Sequence, residues 1–256
     1  MGDAMRRSLV AANWKMHGSL GFISEFADGI AKRLDIASAL EVTDVVVFPP
    51  IVYLPACAAL LPVPVGVQDV GTSATGAHTG EVASEMVREV GGTWAILGHS
   101  ERRIDQGEKD DLVATKAAAA VRGGLLPIVC VGETQAERKA GHEIAVVDRQ
   151  LEAVLDRMNV SDLASGAIAY EPVWAIGTGE TATPEQAQEM HAFIRDKIAH
   201  VDQSAAASVR IVYGGSVKPD NARELFSQED IDGGLVGGAS LDARQFAAIV
   251  DAAGTV

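Results

Sequence analysis

The sequence predicts an α/β fold, a single (β/α)8 barrel that takes residues 1–256 as one domain. Three observations carry this expectation. Short, continuously apolar runs alternate with longer amphipathic segments, and eight such pairs can be counted. A chain of 256 residues has the size of one eight-unit barrel. The first apolar run ends in Asn13-Trp14-Lys15-Met16-His17-Gly18, without the glycine-rich fingerprint that the rival doubly wound sheet would want there. No stretch reads as an interdomain linker.

The elements follow in order. Residues 9–14 form the first strand. After it, residues 22–34 set Phe22, Ile23, Phe26, Ile30 and Leu34 on one helical face. Strands two and three are residues 44–48 and 63–67, each followed by a short, weakly marked segment. Strand four is residues 93–97, followed by a helix over 113–122 that contains the helix-favouring run Ala117-Ala118-Ala119-Ala120. Strand five, residues 126–131, carries Pro127 near its start, where a strand tolerates it, and a helix over 143–158 comes next. Strand six is residues 167–170. The helix after it, residues 184–200, opens with Thr183 as N-cap, Pro184 in its first turn and Gln186 at the capping-box position. Strand seven is residues 209–213, with a helix over 219–226 opened by Lys218-Pro219-Asp220. Strand eight is residues 234–236, with a final helix over 243–252.

Composition narrows the class of function. Apolar residues make up 48% and charged residues 22%, as in an ordinary soluble domain. The net charge of −14 argues against nonspecific partners such as nucleic acid or an anionic membrane surface. Cys57 and Cys130 lie in no metal-ligand or disulfide spacing, which suits a reducing compartment and no zinc site. Asn13 and Lys15 interrupt the first apolar run, so no signal peptide is read. Arg6 stands where a myristoylation motif wants Ser or Thr, and no run approaches the ~20 residues of a membrane helix. A cytoplasmic location is expected.

In a barrel the chemistry sits at the C-terminal ends of the strands. Strand one ends at Asn13 and Lys15; the lysine suits an anion and a polarised carbonyl. Strand four ends in Gly98-His99-Ser100-Glu101-Arg102-Arg103. Residues 100–103 read as the first turn of a helix, so His99 meets a positive dipole end, which disfavours the imidazolium. Glu101 either offsets that dipole or pairs with Lys15. Strand six ends in Glu171, a candidate general base. The segment 172–179 that follows, apolar at Val173, Trp174, Ala175 and Ile176 between a proline and glycines, reads as a lid. Tyr213-Gly214-Gly215-Ser216 and Val236-Gly237-Gly238-Ala239-Ser240 stand after strands seven and eight, where barrels cradle phosphate with backbone N–H groups. Such a cradle lets an acidic protein hold an anion. Cys130 and Trp14 read as packing.

These motifs, in this order over nearly the whole chain, resemble the triosephosphate isomerase family. The ten-residue run from Tyr170 to Gly179 is the most specific match. The resemblance implies a TIM barrel that interconverts dihydroxyacetone phosphate and D-glyceraldehyde 3-phosphate through an enediol(ate), an isomerase of glycolysis and gluconeogenesis. It implies Glu171 as the base, His99 as a neutral proton donor, Lys15 as the positive charge and Asn13 as an orienting group. The glutamate base and neutral histidine are established for the family and are carried over with the resemblance. Gly177, Ser216, Gly237 and Gly238 would bind the phosphate with main-chain N–H groups, Tyr213 would latch the lid, and no cofactor or metal is called for. A homodimer is implied, with the stretch 69–81 reaching into the neighbouring subunit and Thr79 near its tip. The chain departs from the family pattern at Asp69, His78, Asp105 and Gln106, all in that contact region. A noncatalytic phosphosugar-binding barrel and a phosphosugar lyase of the indole-glycerol-phosphate synthase kind are the competing readings. The intact Asn13, Lys15, His99 and Glu171 set disfavours the first; the short lid and strand-four histidine disfavour the second.

Overall fold

The computed structural model describes residues 6–33, 35–176 and 181–255. Eight strands occur among them: β1 Ser8–Asn13, β2 Thr43–Phe48, β3 Val65–Val67, β4 Gly92–Leu97, β5 Leu126–Val131, β6 Ala167–Tyr170, β7 Arg210–Tyr213 and β8 Gly233–Val236. Neighbours pair parallel in chain order, and β8 pairs back onto β1, which closes the barrel. The eight expected strands are all present, with ends shifted by at most two residues.

One helix from each crossover is labelled: α1 Leu20–Ala31, α2 Leu54–Leu60, α3 Ser84–Glu89, α4 Asp110–Arg122, α5 Glu143–Leu155, α6 Pro184–Ala199, α7 Ala222–Phe226 and α8 Ala243–Ala253. Helices α2 and α3 fill the weakly marked stretches; seven and six residues give too little amphipathic pattern to read. Short helices at Ile36–Val42, Gln135–Lys139, Val160–Ser165 and Gln203–Ser208 escaped the sequence reading for the same reason. The α6 opening matches its signals: the Thr183 hydroxyl accepts from the Gln186 N–H, and the Gln186 side chain returns the bond. Helix α7 starts later than expected. The Asn221 side chain accepts the Lys218 N–H at 2.8 Å, so 218–221 form a tied turn and the helix begins at Ala222.

Side chains along the strands alternate between two buried clusters. Leu9, Ala11, Val46, Phe48, Trp94, Ile96, Ile128, Cys130, Ala167, Ala169, Val212 and Leu235 fill one. Their neighbours, such as Val10, Ala12, Val45, Val47, Leu97, Val129 and Val131, face the helix layer. The first cluster is the barrel interior, because residues two apart on a strand share a face. Continued past the strand ends, that parity runs through residues 13 and 15 after β1, 132 after β5, 171 after β6, 214 after β7 and 237 after β8. The barrel thus selects which residues look into its mouth. Trp14 takes the other parity and is fully buried, edge-on to Phe22 and Phe26 at 4.9 and 5.0 Å between ring centroids. Burial also pushes the Cys57 thiol up to about 12 and holds the Cys130 thiol well above its ordinary value, as inert core groups.

His191 on α6 is completely buried between Tyr170 and Tyr213. Its Nδ1 lies 3.1 Å from the Asp230 carbonyl oxygen and its Nε2 has no hydrogen-bond partner. Desolvation lowers its pKa to about 4. Below pH 6.5 the unfolded chain binds a proton here that the folded chain refuses, so folding stability falls as pH drops from 6.5 towards 4. This group accounts for a loss of about 3 kcal/mol across that window. Urea denaturation at pH 7 and pH 4.5 is expected to show a shallower acid loss for His191→Asn than for the parent. An identical acid loss in both would contradict this source.

Candidate active site

Most of the mouth residues converge on one cavity of about 570 Å³. Asn13, Lys15, His99, Ser216, Gly237 and Gly238 all line it, together with Ile176 at the start of the segment after Glu171. Gly177, expected to bind phosphate, lies outside the described residues.

Lys15 is the one non-glycine residue with positive φ among those described, at 51°. Two side chains fix that conformation. The Asn13 Oδ1 accepts the Lys15 N–H at 3.0 Å, and the Gln68 Nε2 donates to the Lys15 carbonyl at 2.8 Å and to the Phe48 carbonyl at 2.9 Å. A strained backbone held from both sides is a common device at functional sites. The Lys15 ammonium meets Glu101 Oε1 at 2.6 Å, which decides between the two readings of Glu101 in favour of pairing.

His99 and Glu171 are organised by one short helix, Ser100–Asp105. Gly98, at φ +68°, turns the chain out of strand β4. A side chain there would also strike Val113, with a Cβ 2.5 Å from its Cγ1. The first turn of a helix has N–H groups with no partner inside it. Here two of them act on the site. The Ser100 N–H donates to Glu171 Oε2 at 2.8 Å, and the Glu101 N–H donates to His99 Nδ1 at 3.2 Å. An Nδ1 that accepts an N–H carries no proton, so the ring is neutral and its hydrogen sits on Nε2. Glu101 Oε2, at 3.6 Å, is too distant to claim Nδ1. Nε2 lies 3.0 Å from Glu171 Oε1, which has no aligned hydrogen-bond donor.

The Glu171 carboxylate is 2% exposed and wedged between glycines. A Cβ on Gly132 would come within 1.8 Å of the Glu171 carbonyl oxygen, and one on Gly214 within 2.8 Å of its Cγ. Glu171 does not line the main cavity. It lines an adjoining space of about 520 Å³ with Ser100, Arg103 and Val173. The carboxylate therefore stands beside the histidine and behind the cavity wall.

Val173–Ala175 after it form one turn of 3-10 helix, anchored by a group the sequence reading overlooked. Glu133 is fully buried; it accepts from the Tyr170 hydroxyl at 3.1 Å and the Trp174 indole N–H at 2.8 Å, and pairs with Arg138 at 3.1 Å. The Arg138 guanidinium also lies over the Trp174 ring at 5.1 Å. Glu133 follows β5 by two residues, a position that could have marked it. Burial pushes the Tyr213 hydroxyl up to about 12. After β8, Gly237 gives its carbonyl to the Ser240 N–H at 2.8 Å, and nothing would crowd a Cβ on Gly238. Asn221 Nδ2 donates to the Ser216 carbonyl at 3.0 Å and fixes that strand end.

A direct test of the helix-terminus bond uses Ser100→Pro. Proline suits the first helical position, and His99 at φ −50°, ψ 141° already has the extended backbone that precedes it. Relative to Ser100→Ala, which also lacks the hydroxyl, the change removes the backbone N–H and closes the ring. Ser100→Pro is expected to keep the helical circular dichroism yet lose about 2 kcal/mol relative to Ser100→Ala, which keeps the N–H. Equal denaturation midpoints for the two would show that the bond contributes nothing.

Comparison with known proteins places these features in context. A family model described as "Triosephosphate isomerase" matches residues 8–253. The chain is 53% identical over 251 residues to the "Triosephosphate isomerase" of Cupriavidus taiwanensis, covering 97% of the chain and 100% of that protein. It is 54% identical over the same span to the protein of that name from Cupriavidus necator. To the one from Stenotrophomonas maltophilia it is 52% identical over 252 residues, covering 97% and 99%.

Proposed function

The chain belongs to the triosephosphate isomerase family, and its activity is the interconversion of dihydroxyacetone phosphate and D-glyceraldehyde 3-phosphate; we propose that Glu171, His99, Lys15 and Asn13 carry it out. The observation that carries the assignment is the 3.0 Å approach of the Glu171 carboxylate to a histidine whose proton is fixed on Nε2. Glu171 takes a proton from one of two adjacent substrate carbons and returns it to the other. His99 donates its Nε2 hydrogen to the substrate oxygens as negative charge develops there, and shuttles a proton between them. Lys15 supplies the positive charge, and Asn13 holds the lysine backbone that presents it. Ser216, Gly237 and Gly238, with Gly177, take the phosphate on their N–H groups. The described part of the lid is Pro172 to Ile176. It keeps water from the enediol(ate), and Tyr213 latches it.

We further propose that the barrel is one domain over residues 1–256, works in the cytoplasm, and acts as a homodimer. No helix among the described residues is long and apolar enough to cross a membrane. For the dimer, the support is a projecting loop. The Gly71 N–H donates to the Val82 carbonyl at 2.8 Å and closes its stem, and residues 73–81 are exposed. Gly71 to Gly76, His78 and Glu81 line a cavity of about 460 Å³ with Arg102 and Gln106. Met16, beside Lys15, is 93% exposed, an apolar knob suited to such a socket on a second copy. Thr79, exposed near the loop tip, would support the partner's site.

Two outcomes follow. In a coupled assay with glyceraldehyde 3-phosphate, Glu171→Gln should lose ~10²–10⁴-fold or more in kcat while still binding a substrate analogue. Near-normal turnover would reassign the base. Shortening the loop between Gly71 and Gly80 should yield a folded monomer, by sedimentation, with activity reduced ~10²-fold through loosened site geometry. A fully active monomer would remove the dimer from the account.

A further inference from the structure

One cation in the cavity has no part in the roles above. Lys218 lines it beside Ser216, Gly237 and Gly238, and its side chain is exposed. Its backbone is not free to drift. Asn221 Oδ1 accepts the Lys218 N–H at 2.8 Å, the Lys218 carbonyl accepts from the Asn221 and Ala222 N–H groups at 3.2 and 3.0 Å, and Asn221 Nδ2 donates to the Ser216 carbonyl at 3.0 Å. One asparagine thus ties the Ser216 strand end and the Lys218 turn together. Among the described residues, no carboxylate forms an ion pair with the Lys218 ammonium. Lys15, the other lysine of the cavity, is matched by Glu101 at 2.6 Å. The molecule as a whole carries −14. A dianion approaching it is repelled at long range, and at the mouth the field depends on the unmatched charge.

Resting on the triose phosphate reading, we infer that Lys218 is a specificity-determining residue: the outer cation that draws a dianionic phosphoryl group into the cavity and favours it over uncharged analogues. A lysine on a flexible stem acts as a point charge rather than a geometric clamp. Its effect is therefore graded by charge, tolerant of arginine, and screened by salt within a Debye length of ~10 Å at 0.1 M. It acts on capture of the substrate and leaves the proton transfers at Glu171 and His99 alone.

The test is a charge series, K218R, K218A and K218E, assayed with glyceraldehyde 3-phosphate from about 0.02 M to about 0.5 M ionic strength. Lys32→Ala, at the far end of α1 and in none of the cavities above, controls for net charge. At low salt kcat/KM should fall about fivefold for K218A and about 25-fold for K218E, and stay within about twofold for K218R and the control. Changes in kcat should stay within about twofold, and the differences should shrink at high salt. The dissociation constant of glycerol 3-phosphate, by calorimetry, should follow the same order, while that of uncharged glycerol should not. K218R as impaired as K218A, or a loss unaffected by salt, would assign Lys218 a structural role and overturn the inference. K218A equal to the parent at low salt would also overturn it. A parent protein that fails to isomerise triose phosphates would instead refute the reading beneath, and the glycerol 3-phosphate series would still judge the lysine.

Discussion

The first turn of the Ser100–Asp105 helix is the part of the molecule on which the site depends. Two N–H groups that no helix can satisfy internally are spent on two ionisable groups. One is donated to an oxygen of the buried Glu171 side chain. The other occupies His99 Nδ1 and so keeps the imidazole neutral with its hydrogen on Nε2. The proposed mechanism needs a base and a neutral donor side by side, and an ion pair between them would defeat both roles. Backbone dipoles achieve the separation without introducing a further charge. The same helix carries Glu101, which positions the Lys15 ammonium, so base, donor and cation share one support.

The barrel supplies the rest by parity and by absence of side chains. Alternation along β1 and β6 turns residues 13, 15 and 171 toward the mouth, and alternation along β5, β7 and β8 turns glycines there. Gly132 and Gly214 leave the room that Glu171 occupies, and Gly237 leaves its backbone close to Lys15, whose Cε would lie 3.6 Å from a Cβ there. In the proposed binding mode, an acidic molecule accommodates an anionic substrate through backbone N–H groups and isolated cations, not through a general positive surface. Asp69, Arg102, Glu108 and Lys116 form a charge-balanced cluster that joins the β3 and β4 ends, with Glu108 and Lys116 buried and Asp69 and Arg102 partly exposed; Lys116 bridges Asp69 and Glu108 at 2.6 Å each. Desolvation raises the Asp69 pKa against the pull of Lys116. This cluster gives the departure from the family pattern at Asp69 a physical place in the fold.

Much of this was legible in the chain. Continuous apolar runs gave the eight strands, since strands covered on both faces have no polar side to interrupt them. Motifs at strand ends singled out Asn13, Lys15, His99, Ser216, Gly237 and Gly238, which the fold brings to one cavity, and Glu171, which it sets beside His99. What could not be read was cooperation between distant segments. Gln68 acts on the Lys15 carbonyl, Glu133 on Trp174, and Gln150 exchanges hydrogen bonds with Gly132 at 2.7 and 3.1 Å. Each is a polar residue whose partner lies far along the chain and is fixed only by the tertiary fold. The short helices went unread because one or two turns carry no period. The choice between dipole offset and pairing for Glu101 needed a distance.

Backbone N–H groups fix the Glu171 side chain and leave the His99 hydrogen on Nε2 beside it. The most direct measurement is nitrogen NMR of the protein labelled with 15N-histidine, with His99 assigned through a His99→Gln variant. At neutral pH the account predicts one proton-bearing, pyrrole-like nitrogen at Nε2 and one bare, pyridine-like nitrogen at Nδ1. Two proton-bearing nitrogens, or a proton on Nδ1 alone, would contradict it.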